Sequence, residues 1–224
     1  MGISERRERE RDQTRAKIMN AAREMFAREG YDAVSMRKIA EAVEYSPTAI
    51  YVHFKDKEAL FGEMCREDFA RLSDAFRELA RIEDPVERIR RLGQSYVRFA
   101  TQYPNHYRLM FMTPHSHLPK DEMQCSKGNP DEDGYAFLRA AVMEAIAQDR
   151  FRSEFSDVEL ATQTLWAMAH GIASLQITKG DESWFNWRPI EERAKVGLEA
   201  ILRGILADVK LIVPPRKMRK AGVR

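Results

Sequence analysis

Apolar residues recur at three- and four-residue intervals along most of this chain, and no segment alternates as a half-buried strand would. The first stripe is Ile18, Ala21, Ala22, Met25 and Phe26, with Gly30 placed to stop the helix. A second helix is expected from the cap Ser35 to Val43, with Ile39, Ala40 and Val43 facing inward. Pro47 then opens a short third helix. Lys57 and Glu58 begin a long one reaching about residue 80, which carries Leu60, Met64, Phe69, Leu72 and Phe76. Asp84 and Pro85 start the next, with Ile89, Leu92, Tyr96, Phe99 and Tyr103, and Pro104 ends it. A short apolar helix follows to Met112. Beyond an irregular stretch at 113–131, helices are expected over 132–149 and 157–178 and, after the connector SWFNW, from Pro189 to about Val209. The fold class is all-α.

The short helix inside YSPTAIYVHF (45–54) has an unusual surface. At about 100° per residue, Ile50 and Phe54 share one side and Thr48 and Val52 the opposite one, with Tyr51 and His53 on the flanks. An apolar crest between two hydrogen-bonding groups suits a helix in a DNA major groove. The crest meets base edges and thymine methyls, and the flanks meet phosphates on either wall. A connecting helix whose exposed valine carries no function fits the same pattern, because isolated exposed apolar residues are common.

The preceding helix carries a second clue in its first turn, Met36, Arg37, Lys38, where cations oppose the helix dipole. An anion bound there by free N–H groups and the Ser35 hydroxyl, with Arg37 reaching a base edge, would reconcile the charge; two solvated cations are the plain alternative.

Composition narrows the field. With 44% hydrophobic and 32% charged residues this is an ordinary globular chain, and its net charge of +2 says little about nucleic acid. The basic residues cluster, however. Lys210, Arg216, Lys217, Arg219, Lys220 and Arg224 stand without an acid near the C-terminus, and the N-terminal MGISERRERERDQTRAK mixes both signs. Such ends add nonspecific phosphate affinity or merely solubilise. No run of 18 apolar residues could span a membrane, and the charged N-terminus lacks the apolar segment of a secretory signal. A cytoplasmic location is expected, with Cys65 and Cys125 both reduced. No GxSxG, HExxH, P-loop or dinucleotide fingerprint is present among only 11 glycines, which argues against an enzyme.

Over residues 13–61, the succession RKIAEAV, YSPTAIYVHF and KDKEALF resembles the TetR family of transcriptional regulators, and WAMAHG at 166–171 is similar to a signature of one branch of its regulatory domains. The resemblance implies a helix-turn-helix DNA-binding domain over 1–61, with 1–12 a charged arm. A helical ligand-binding and dimerisation domain over 62–210 and a basic tail over 211–224 follow. It implies phosphate contacts from Tyr51, His53, Lys57 and Ser35, and base-facing positions at Arg37, Thr48 and Val52. Two departures stand out. Glu44 occupies the turn position where the family carries glycine, so a different backbone path is expected. Pro47 removes a base-bonding side chain, so readout is expected to lean on thymine methyls and DNA shape.

The resemblance further implies a homodimer on a pseudo-palindromic double-stranded DNA operator, a small, mostly apolar effector, and no cofactor. Aromatic and sulfur side chains at helical spacing suggest the pocket: Tyr96, Phe99, Tyr103, Met110, Met143, Trp166 and His170, with Phe111 nearby. A plain hydrophobic core gives the same stripes. His115, His117 and Cys125 form a weak metal candidate lacking a fourth ligand, and no metal is expected. Leu198, Ile201 and Ile205 give the last helix a stripe for pairing with its copy. The helix beginning at Lys57 is the expected lever between effector and DNA. A helical protein-interaction module without sequence-specific DNA binding remains the alternative.

Overall fold

The computed structural model describes residues 2–113, 128–130 and 132–207. Nine α-helices are seen among them: α1 (Ile3–Glu29), α2 (Met36–Val43), α3 (Pro47–Tyr51), α4 (Lys57–Arg77), α5 (Pro85–Gln102), α6 (Pro104–Tyr107), α7 (Gly134–Ala147), α8 (Val158–Lys179) and α9 (Ile190–Ile205). Among the described residues there is no strand, only an isolated bridge between Phe151 and Leu206. None of these helices is long and apolar enough to cross a membrane.

Two cores organise the chain. The first packs α1, α2 and α3 against the start of α4 through Ile18, Ala22, Phe26, Ile39, Ile50, Phe54, Leu60 and Phe61. The second joins the rest of α4 with α5, α7, α8 and α9. An all-α protein with an N-terminal helix-turn-helix domain and a larger helical domain results.

Local sequence explains most boundaries. Ser35, Ser46, Asp56, Asp84, Asp133 and Asp157 each cap a helix by accepting backbone N–H groups, as at Asp56 from Ala59 (2.7 Å). Gly30 ends α1 at φ 83°.

Three expectations change. Residues 3–12, within the expected charged arm, are helical: α1 begins at Ile3, helped by Glu5 accepting from Gly2 N–H (2.8 Å) and by an Arg6–Glu10 pair one turn apart. The α9 stripe does not face a second copy, because Leu198 and Ile205 lie in the chain's own core. The turn after α2 keeps a left-handed path despite lacking glycine. Glu44 adopts φ 63°, ψ 35°, and its N–H donates to Glu41 O (3.2 Å) while Tyr45 N–H donates to Ala40 O (3.0 Å). Those two bonds form a Schellman motif, which satisfies the helix-end carbonyls and holds the residue in a conformation its Cβ disfavours.

Glu44→Gly should therefore stabilise the protein by about 1 kcal/mol. The expected readout is a higher denaturant midpoint at unchanged slope; an unchanged or lower midpoint would contradict the strain at Glu44.

Candidate functional site

The exposed face of the first unit is centred on α3. Ser46 caps it by accepting from Ala49 N–H (3.2 Å), and Pro47 sits at its first position. Burial of Ile50 and Phe54 turns Thr48, Tyr51 and Val52 outward, with Tyr51 54% and Val52 71% exposed. Arg15 of α1 locks this placement. Its guanidinium donates to His53 O (2.8 Å), lies 4.6 Å from the Phe54 ring centre, and pairs with Glu63 of α4. His53 is half-buried. Burial first, then the charges of Arg15 and Arg11, hold its pKa below the ordinary value, so the ring is neutral at pH 7. Its Nδ1 is buried without a partner.

The expected cations are placed differently from one another. Arg37 is exposed and pairs with Glu41 one turn on (3.0 Å). Lys38 folds back onto Ala33 O (2.8 Å) and Glu29 (3.3 Å), and Ser35 Oγ accepts from its N–H (3.3 Å), so much of the charge conflict at the start of α2 is resolved internally. Lys57 also turns inward: its ammonium donates to Tyr31 O and Val34 O (both 3.1 Å) and lies 4.1 Å from the Tyr31 ring centre. It braces the link between α1 and α2, leaving one of three donors free. Lys55, which sequence reasoning passed over, is exposed beside the α3 face.

In the second unit, a cavity of about 420 Å³ opens between α4, α5, α7, α8 and α9. Of the pocket candidates, Tyr96, Met110 and Trp166 line it. Phe69, Leu72 and Phe76 of α4, Phe111, Tyr135 and Leu138 complete much of the wall. The α4 side chains carry the same 3.6-residue signal as any core stripe, so only packing could reveal that they border a void. Gly93 permits the close approach of α5 to α9, since a Cβ there would stand 2.5 Å from Leu198.

Four expected pocket residues are displaced. Phe99 is buried but packs on Tyr103 (5.3 Å between ring centres) beyond the end of the cavity. Tyr103 is half-buried beneath Arg71 and beside His106. Met143 lies on the outer side of α7, 50% exposed, because Ala141, Val142 and Ala145 take the inward positions. His170 stands behind the wall, in contact with Tyr107 Oη (2.6 Å) and Tyr96 Oη (3.4 Å). Tyr96 Oη also lies 3.0 Å from Tyr107 Oη and accepts from Trp166 Nε1 (3.0 Å). Burial lowers the His170 pKa and pushes Tyr96 up to about 12, so this cluster is uncharged at neutral pH.

The two units meet at a buried charge cluster. Asp68 of α4 is fully buried and accepts two bonds from Arg23 of α1 (3.0 and 3.2 Å) and one from His106 Nδ1 of α6 (2.7 Å). Arg23 also donates to Asn20 (2.8 Å). Next along the chain, a single π turn over Arg108–Met112 sends Leu109 into the first core while Met110 and Phe111 face the cavity.

Residues 18–64 match the family model described as bacterial regulatory proteins, tetR family, and residues 89–196 match the tetracyclin repressor-like C-terminal domain. The chain belongs to the TetR family. The chain is similar to the transcriptional regulator UidR of Escherichia coli, 41% identical over 76 residues, 34% of this chain and 36% of that one. It is also similar to the transcriptional repressor AcnR of Corynebacterium efficiens, 40% identical over 70 residues, 31% of this chain and 37% of that one. The match thus spans little more than a third of each relative. Likeness to solved TetR-family structures covers far more. PfmR of Thermus thermophilus superposes with a TM-score of 0.69 at 25% identity over 83% of this chain and 97% of that one. A regulator from Marinobacter aquaeolei gives 0.70 at 20% identity over 90% and 100%, which shows the fold alone. The metal candidate His115, His117 and Cys125 and the basic tail of this TetR-family chain lie outside the described residues.

Removing the charge of Asp68 would strand Arg23 in the interior, so Asp68→Asn should cost about 3–5 kcal/mol in denaturant unfolding; a loss below 1 kcal/mol would show that the cluster is dispensable. For His170 and His53, the unfolded chain takes up protons below about pH 6.5 that the folded chain refuses. Their stability contribution is complete above that pH and falls as the pH drops below it. The urea midpoint should fall between pH 7.5 and pH 5.5, and the fall should shrink in His170→Gln.

Proposed function

We propose that this protein is a ligand-responsive transcriptional regulator, acting as a repressor, that binds a pseudo-palindromic operator as a homodimer. A small, mostly apolar molecule in the cavity modulates or releases it. The observation that carries this reading is the sharing of structural parts between the two units. One helix, α4, presents Glu63 and Asp68 to α1 and Phe69, Leu72 and Phe76 to the cavity. A molecule that moves the cavity wall acts on the mounting of α3 through the same helix. Control then requires the ligand to prefer one spacing of the two α3 helices over another.

On the DNA, Thr48 and Val52 face bases, Tyr51 and the neutral N–H of His53 reach phosphates, and Ser35 and Arg37 meet the backbone and a base edge across the groove. Lys55 joins them as a phosphate contact, and Lys57 contributes its one remaining donor.

Dimerisation falls to the outward faces of α8 and α9. Leu160, Ala167 and Leu175 on α8 and Val196 and Ala200 on α9 are exposed, while Gly171 and Gly204 have open space where a Cβ would stand. Small and apolar residues on adjoining helices suit a four-helix interface with a second copy. Such an interface would hold two α3 helices roughly 34–36 Å apart, one turn of duplex.

Selection from random duplex DNA should yield a palindrome. Tyr51→Ala should weaken the winning site about five- to tenfold, the loss of one hydrogen bond or slightly more. Lys55→Ala should lower the slope of log affinity against log salt by about 1. Failure to enrich any sequence, with selected and scrambled duplexes weakening alike in salt, would replace the regulator reading with that of an interaction module.

A further inference from the structure

The cavity's polar end has a definite hydrogen-bond direction. The 2.6 Å contact between Tyr107 Oη and His170 Nδ1 requires a hydrogen between them. If Nδ1 carried it, either Tyr96 or Tyr107 would be left with a hydroxyl hydrogen that no described side chain of the cluster accepts. If Tyr107 donates it, Tyr96 donates to Tyr107 and every hydroxyl hydrogen in the cluster has an acceptor. Trp166 Nε1 donates to Tyr96 Oη as well, and Tyr135 Oη donates outward to Glu159 (2.8 Å). Among the described residues, all three side chains on the wall that own an N–H or O–H, Tyr96, Tyr135 and Trp166, have therefore committed it within the protein. One lone pair on Tyr96 Oη stays unfilled. Among the described residues, the one charged side chain lining the cavity is Asp133, an anion whose carboxylate caps α7 and accepts from Gly128 N–H.

The described side chains of this wall supply acceptors, no free donor and no cation, and so discriminate by chemistry. They offer a carboxylate or phosphate no side-chain donor and oppose it with Asp133. They offer a hydroxyl a ready acceptor in otherwise apolar surroundings. We propose that the cavity selects an uncharged, mostly apolar molecule bearing a hydroxyl, an alcohol or a phenol, which donates to Tyr96 Oη, and that it rejects the matching acid. The proposal rests on the reading of this cavity as the effector site and adds the chemical class of the effector.

Three probes of one skeleton test it by calorimetric titration of the full chain: 4-hexylphenol, its methyl ether and 4-hexylbenzoate. The phenol should bind about tenfold more tightly than the ether, the worth of one hydrogen bond, and the benzoate more weakly than either. Tyr96→Phe should bring phenol and ether within about twofold. Trp166→Phe, which frees a lone pair on Tyr96 and keeps its hydroxyl, should preserve the preference and covers the case in which Tyr96→Phe does not fold. If the ether equals the phenol, or the benzoate binds more tightly than the phenol, the hydroxyl rule is overturned while the effector site stands. If none of the three binds wild-type protein, the effector-site reading falls and takes this inference with it.

Discussion

A carboxylate with no exposure to water must be matched inside the protein, and at Asp68 that requirement ties three helices together. The side-on pair with Arg23 fixes α4 against α1, and the bond from His106 fixes the start of α6 against both. Planar guanidinium geometry allows little sliding in such a pair, so α1 and α4 meet in one register. Two hydrophobic cores joined only by apolar contact could roll over each other at small cost. The buried charge opposes that rolling, because it would break the Arg23–Asp68 pair.

The transmission of strain follows from that constraint. Leu109 belongs to the core beneath the helix-turn-helix, and its neighbours Met110 and Phe111 belong to the cavity wall. Close-packed interiors shift between discrete arrangements instead of deforming smoothly. A ligand that pushes Phe111 or the α4 side chains Phe69 and Leu72 has few ways to be accommodated without moving Leu109 or the Asp68 cluster. The π turn at Arg108–Met112 lies where the two demands meet, a place where irregular helices are often found. Arg15, bridging His53 O, Phe54 and Glu63, ties α4 to the exposed face of α3.

Signals written in a few adjacent residues are legible in the sequence alone. Ser46 and Pro47, followed by Ile50 and Phe54, define α3 and leave Tyr51 and Val52 no place but the surface. Lys57 shows the limit of that reasoning, because its neighbours say nothing of the Tyr31 and Val34 carbonyls that claim its ammonium. The pocket illustrates the same limit. Tyr96 and Phe99 both face inward on α5, yet one borders the cavity and the other does not, a difference that depends on what the other helices place opposite each.

The sequence by itself determined the all-α class, most helix starts though not that of α1, and the outward face of α3, because each depends on residues within one or two turns of one another. Even Glu44, whose cost was foreseeable, kept the left-handed turn, since the two Schellman bonds are local and outweigh one unfavourable residue. Only the tertiary structure decided which inward-facing side chains enclose a void, which cations stay free, and how the Tyr96, Tyr107, His170 and Trp166 groups orient their hydrogens. Those outcomes depend on distances between residues as much as 74 positions apart, as between Tyr96 and His170. Helical periodicity states which face turns inward; it carries no information about what that face will meet.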